Sequence, residues 1–224
     1  FSTMGFNPYF HSASFINEEL SENEVVKNIH TQVEFVYFYG AGASSESLKD
    51  IVKDGLQQVL PNAHVNVDHD LVASAYSTYT GEPAITCIIG TGSNSCFFDG
   101  AEVSEEVPAL AYILGDEGSA SFIGKRLVSD FLYKKLPAEM AEDFFNTYQL
   151  DKDEIITSVY NKPNANVYLA SFSRFAGKHM EHPYVKQIVR VGFAKFADIH
   201  IACFDNYKEV PVHFVGSVGA IFHE

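Results

Sequence analysis

Between Val33 and Ile89 the chain alternates in an order that few architectures can accommodate. A β-prone run, Val33 to Tyr39, is followed by a helical pattern from Ser44 to Leu60 with Leu48, Ile51, Val52, Leu56, Val59 and Leu60 on one stripe. A short strand, Ala63 to Val67, a helix rich in small residues, Leu71 to Tyr79, and an apolar run, Ala84 to Ile89, complete the series. Strand, helix, strand, helix, strand is the signature of an α/β unit with a parallel sheet. The near-continuous apolar character of Val33 to Tyr39 predicts a strand buried on both faces. Ligands of such sheets collect at the carboxyl ends of the strands, where Gly42, Asp70 and Thr91 fall.

The third of these strands leads into Gly90-Thr91-Gly92-Ser93, then a second β-prone run, Ser95 to Phe98, and an Asp99-Gly100 turn. Two glycines around a hydroxyl residue let consecutive backbone N–H groups converge on an anion, with Thr91 and Ser93 adding hydroxyl donors. The same pattern also suits a hairpin that needs glycine only for its backbone angles. A Walker-type loop requires Gly-Lys-Ser/Thr opening a helix, and a dinucleotide fingerprint requires GxGxxG between strand and helix. Neither occurs here.

Around this region the pattern is looser. Gly5 and Asn7-Pro8 place Asn7 in a loop, and Ile16 to His30 reads as one Glu-rich helix. Ala101 to Val103 offers a third antiparallel strand, and Gly115-Asp116-Glu117-Gly118 precedes a long helix from about Ser119 to Leu136. Helical patterns recur at 138–148, 151–161, 166–179 and 183–206, and Val210 to Val215 reads as a last strand before Gly216-Ser217-Val218-Gly219. That final turn opens a helix and is a second candidate anion site. Glu82-Pro83 is the best lobe boundary, giving 1–83 and 84–224.

With 29 acidic against 15 basic side chains, the formal charge of −14 excludes a surface built for nucleic acid or anionic membrane. Any anionic ligand therefore depends on local backbone donors or a metal ion. Cys87, Cys96 and Cys203 cannot all pair and lack metal-ligand spacing, which reads as reduced thiols in a cytoplasmic protein. The nine histidines show no ligand pattern, so no metal site is assigned. No apolar run reaches the roughly 18 residues of a membrane span. Because Phe1 opens the chain and Gly219 to Glu224 read like a helix cut short, a fragment is expected.

Each glycine turn and acidic site is weak alone, but their order is informative. IIGTGSNS, then LGDEGSASFIGKRL, then VHFVGSVG, with GFNPYF near the start and YFYGAG at the first strand, resembles the N-acetylglucosamine kinase and benzoyl-CoA-reductase-activator type ATPases, within the actin, hexokinase and heat-shock-chaperone superfamily. The resemblance implies an α/β, two-lobed, ribonuclease-H-like architecture closing around ATP and a sugar. The family's first phosphate hairpin, Asp-Gly-Gly-x-Thr-x-Thr, which also positions Mg²⁺, is missing from this sequence, as is the C-terminal end.

By the same resemblance Gly90, Thr91, Gly92 and Ser93 form the second phosphate loop, and Gly216, Ser217 and Gly219 the adenosine turn. Asn7, Asn94, Asp116 and Glu117 hold the sugar, and Asp70, in HDLVAS, is the catalytic base. The implied activity is transfer of the γ-phosphate of ATP to an amino sugar, N-acetylglucosamine or glucosamine, at the 6-hydroxyl. An ATP-hydrolysing activator and a sugar-sensing regulator are the alternatives, and dimerisation is left open. Taken without the resemblance, Asp116 and Glu117 equally suit the dipole of the helix they precede, Asp70 suits a helix cap, and Lys125 and Arg126 suit a solvated helix face.

Overall fold

The computed structural model describes residues 2–223; Phe1 and Glu224, on which the fragment expectation partly rests, lie outside them. The chain divides into two units, the first running to Ser77 and the second starting at Thr78, a few residues before the boundary expected at Pro83.

In the first unit the helix expected over Ile16 to His30 is two helices, α1 (Ala13–Glu22) and α2 (Glu24–Ile29). Asn23 separates them because its side chain accepts from the Val25 and Val26 amides, a capping bond that favours a new helix over continuing the old one. Strand β1 (Phe35–Gly40), helix α3 (Glu46–Val59), strand β2 (His64–His69) and helix α4 (Asp70–Thr78) follow. β1 and β2 pair in parallel from Phe35 opposite His64 to Gly40 opposite His69. Ser45 caps α3, whose Val52, Leu56 and Val59 pack with Ile16, Leu20 and Val65.

β1 differs from its expected burial on both faces. Val36 and Phe38 face this core, while Phe35 and Tyr37 are 60% and 64% exposed. Alternate side chains of a strand point to opposite faces, and the packed helices of this small parallel pair occupy only one of them.

The second unit holds a sheet in the order β5-β4-β3-β6, formed by β3 (Ala84–Ile89), β4 (Ser93–Phe98), β5 (Val103–Ser104) and β6 (Val212–Val215). β3 and β4 form an antiparallel hairpin closed at Ile89 opposite Ser93, and β6 lies parallel to β3 with Ile88 opposite Val215. The helices are α5 (Ala111–Leu114), α6 (Ala120–Leu132), α7 (Ala138–Tyr148), α8 (Lys152–Tyr160), α9 (Ala165–Ser171), α10 (Ser173–Lys178), α11 (Pro183–Phe196) and α12 (Ser217–Ile221). The pattern over 166–179 is thus broken at the buried Phe172, and the one over 183–206 passes after Phe196 into a π-helical turn, Ala197–Ile201. Ile85, Cys87 and Ile89 of β3 pack with Ile123 and Leu127 of α6 and with an aromatic group around Phe144, Phe172 and Phe175.

Lys125 and Arg126 are more engaged than a solvated face would make them. Lys125 Nζ donates to the Tyr112 carbonyl at 2.7 Å, and Arg126 Nε to the buried Asp130 at 2.7 Å. All three cysteines are free thiols. No helix among the described residues is long and apolar enough to cross a membrane.

Candidate functional site

The glycine turn between β3 and β4 is closed by the Gly90 N–H donating to the Gly92 carbonyl at 2.9 Å. Its orientation is set by α6. The first amides of that helix, Ala120 and Ser121, donate to the carbonyls of Gly90 and Thr91 at 2.8 and 3.1 Å, and Ser119 Oγ accepts from the Phe122 amide. In a trans peptide the N–H points opposite to the carbonyl. With the Gly90 and Thr91 carbonyls turned to α6, the Thr91 and Gly92 N–H groups are turned away from it, and neither has an acceptor among the described residues. The N-terminus of α6 is therefore occupied, and the turn presents two adjacent amides as donors, the kind of group an anion binds. Ser93 is used differently: its N–H donates to Asp116 Oδ1 at 3.0 Å and its Oγ to the Glu117 carbonyl at 2.8 Å.

Asp116 is held in a demanding conformation. Its φ of 57° is left-handed, a region L-residues rarely occupy and where persistent strain marks functional positions. A Cβ on Gly92 would lie 2.7 Å from Asp116 Oδ1, so the carboxylate can sit against the turn only because residue 92 has no side chain. Burial raises the carboxyl above its ordinary range, and the Ser93 N–H pulls the other way without cancelling it. Glu117 comes next, its Oε2 3.5 Å from His200 Nε2. Asn94 is buried, with Oδ1 accepting from the Ser95 amide at 2.9 Å and Nδ2 donating to Glu105 Oε2 at 3.2 Å.

Gly216, after β6, adopts φ 117°, and a Cβ there would run into the Ile89 carbonyl. The turn at Gly216 and Ser217 is thereby pressed against the end of β3, beside Gly90, at the carboxyl ends of two parallel strands. Gly219 lies one turn into α12. The second unit thus gathers residues 90–94, 116, 117 and 216 at one end of its sheet.

Asn7 and Asp70 belong to the first unit. Asn7 Oδ1 accepts from the Tyr9 amide at 3.0 Å, while Nδ2 has no acceptor among the described residues. Gly42, at φ 85°, leaves no room for a Cβ against that amide. Asp70 is the first residue of α4, at the end of β2, with its side chain about a third exposed and Oδ1 3.3 Å from His69 Nε2. Beside it Lys49 Nζ lies 3.0 Å from Asp68 Oδ1. Glu105, His69 and His200 were not singled out by the sequence. Only His69, adjacent to Asp70, carried a signal that could have found it.

The solved structure of a protein described as a "putative N-acetylglucosamine kinase", from Porphyromonas gingivalis, is 34% identical to this chain and superposes with a TM-score of 0.92 over 100% of it and 79% of the other chain. The chain belongs to the N-acetylglucosamine kinase family. A second protein so described, from Chromobacterium violaceum, shares the fold at 15% identity and a TM-score of 0.63, over 83% of this chain and 66% of the other. No family model matches the sequence, and no curated protein matches it. As a member of the N-acetylglucosamine kinase family, the chain has the α/β fold of the sugar kinases and actin-like ATPases expected from its motifs.

The residues fit the phosphates of ATP at one point in particular: the outward Thr91 and Gly92 amides beside Gly90, where a Cβ would meet nothing within 4 Å. Among the described residues no group of three or more His, Cys, Asp or Glu side chains could hold a metal ion.

Proposed function

We propose that this protein is an ATP-dependent sugar kinase that phosphorylates an amino sugar, N-acetylglucosamine or glucosamine, at its 6-hydroxyl. The single observation that carries the reading is the Gly92–Asp116 contact, which sets two outward amides and a half-buried carboxylate on a left-handed backbone side by side in a member of this family. Amides suit phosphate, and a carboxylate at the same turn suits a hydroxyl donor.

In this reading Gly90, Thr91, Gly92 and Ser93 shape the phosphate loop, with the Thr91 and Gly92 amides as its donors, and Gly216, Ser217 and Gly219 flank the nucleoside. Ser93 acts by fixing Asp116 and Glu117. Asn94, Asp116 and Glu117 accept or donate hydrogen bonds to sugar hydroxyls, and Asn7 offers its free Nδ2. Mg²⁺ would arrive with the nucleotide, neutralising phosphate charge when bound. Asp70 accepts the proton of the attacking hydroxyl; His69 Nε2 beside Oδ1 orients the carboxylate so that Oδ2 remains available.

A panel of hexosamines assayed for ADP release with the full-length protein tests the proposal. Stimulation by one amino sugar well above the others supports it. ADP release that no sugar changes favours the ATP-hydrolysing switch instead.

A further inference from the structure

His200 is buried to 3% exposure in a helical turn of a rare kind. After Phe196 the helix widens to a π turn, closed by the Ala202 N–H donating to the Ala197 carbonyl at 2.9 Å. π turns are costly and concentrate at functional sites. This one is pinned to β4 by Ser95 Oγ, which donates to the His200 carbonyl at 2.6 Å, and the imidazole stacks on Phe196 with ring centroids 4.9 Å apart. Ser95 follows Asn94, so the anchor of the turn adjoins the residues gathered around Asp116.

The ring itself faces Glu117. Burial lowers the imidazole below its ordinary range, and the neighbouring Glu117 and Asp116 carboxylates only partly offset that, so the ring is neutral near pH 7. A neutral imidazole carries one hydrogen. Nδ1 has no partner among the described residues, whereas Nε2 lies 3.5 Å from Glu117 Oε2, so the hydrogen belongs on Nε2, directed at the carboxylate. A buried imidazole with an unmatched Nδ1 is a poor filler compared with Phe or Leu. Its one polar contact is what a nonpolar ring could not supply.

We infer that His200 is a positioning residue: its Nε2–H holds the Glu117 carboxylate in the orientation that receives the sugar, at a contact that shortens when substrate binds. This rests on the reading of Glu117 as a sugar-holding residue. Two measurements test it, the second independently of that reading.

The first is kinetic. His200→Phe keeps the ring and its stack but removes the donor, and His200→Gln keeps a donor. His200→Phe should raise the amino-sugar KM roughly tenfold or more, the worth of a hydrogen bond to a charged group, with kcat within about twofold and the melting temperature not lowered. His200→Gln should recover most of the lost affinity. A wild-type KM in His200→Phe, or equal losses in both variants that follow a lower melting temperature, overturns the inference.

The second needs no turnover. Nitrogen-15 NMR of the imidazole should show the Nε2–H tautomer, neutral at pH 7, with a signal that moves in Glu117→Gln. An Nδ1–H tautomer, or a signal indifferent to Glu117→Gln, overturns the inference even if the protein is an amino-sugar kinase. If no sugar is phosphorylated, the kinase reading fails and the NMR result alone decides the His200–Glu117 contact.

Discussion

Asp70 and Asp116 are both acidic, yet their surroundings differ, and the proposed reading gives them different work. Asp70 is partly exposed, with Oδ1 3.3 Å from His69 Nε2, a place where a bound hydroxyl can reach it. Asp70→Asn should lower kcat by about 10²–10⁴-fold with little change in sugar KM. A helix cap would tolerate Asn, so near-normal kcat in this variant removes Asp70 from the chemistry.

Asp116 is half-buried, and its carboxyl is raised above the unfolded value. For an acid with a raised folded pKa, stability is fully present below the unfolded value and is lost as pH rises through the folded one. Ionised Asp116 therefore weakens the fold at neutral pH. Asp116→Asn, which still accepts from the Ser93 amide and tolerates φ 57°, should stabilise the protein at pH 7 by about 0.5–2 kcal/mol, with the gain shrinking below about pH 4. Sugar KM should rise in the same variant. Denaturant unfolding at the two pH values checks the first part, and an equal effect at both contradicts it.

At the scale of elements, the pairing of α6 with α11 depends on one buried carboxylate. Asp130 of α6 accepts from Arg126 Nε and from Tyr184 Oη of α11, each at 2.7 Å. Burial and the adjacent carboxylate push the Tyr184 phenol far above its ordinary range, so it stays a donor at every physiological pH. Tyr184→Phe leaves a buried acceptor short of one partner and should cost about 1–3 kcal/mol, seen as a melting temperature several degrees lower. Because α6 also docks the glycine turn, the sugar KM of this variant should move more than that of a loss of equal size elsewhere in the core. Paired thermal and kinetic measurements decide whether it does.

Elements were legible wherever periodicity and caps agreed. The hydrophobic stripe of α3 and the Ser45 cap leave little freedom, and Ile88-Ile89 running into Gly90 defines the strand and its end. Asn23, by contrast, is an ordinary residue within a helical pattern, and only its side-chain bonds to Val25 and Val26 make it a break. The exposed aromatics of β1 were misread because a run such as Phe35 to Tyr39 is apolar on both faces, and composition cannot tell which face is covered. Within the second unit the glycine turn could be read at the end of β3. The left-handed backbone of Asp116 and the approach of His200 through a π turn could not, since both depend on contacts between segments far apart in the chain.

At the scale of the whole molecule, family membership, an acidic surface and a backbone cradle belong to one account. A chain with a formal charge of −14 repels phosphate in general, so nucleotide binding calls for local backbone donors or a metal ion, and in the proposed reading the Thr91 and Gly92 amides are those donors. The central claim is that the terminal phosphate goes to a sugar hydroxyl and not to water. Phosphorus NMR of the full-length protein incubated with Mg²⁺-ATP and N-acetylglucosamine, and separately with glucosamine, tests this most directly. The account predicts a new phosphomonoester resonance coupled to the two protons on C6 of one of these sugars, growing in step with ADP. Inorganic phosphate appearing with ADP in the presence of either sugar, with no sugar-bound phosphorus, would contradict it.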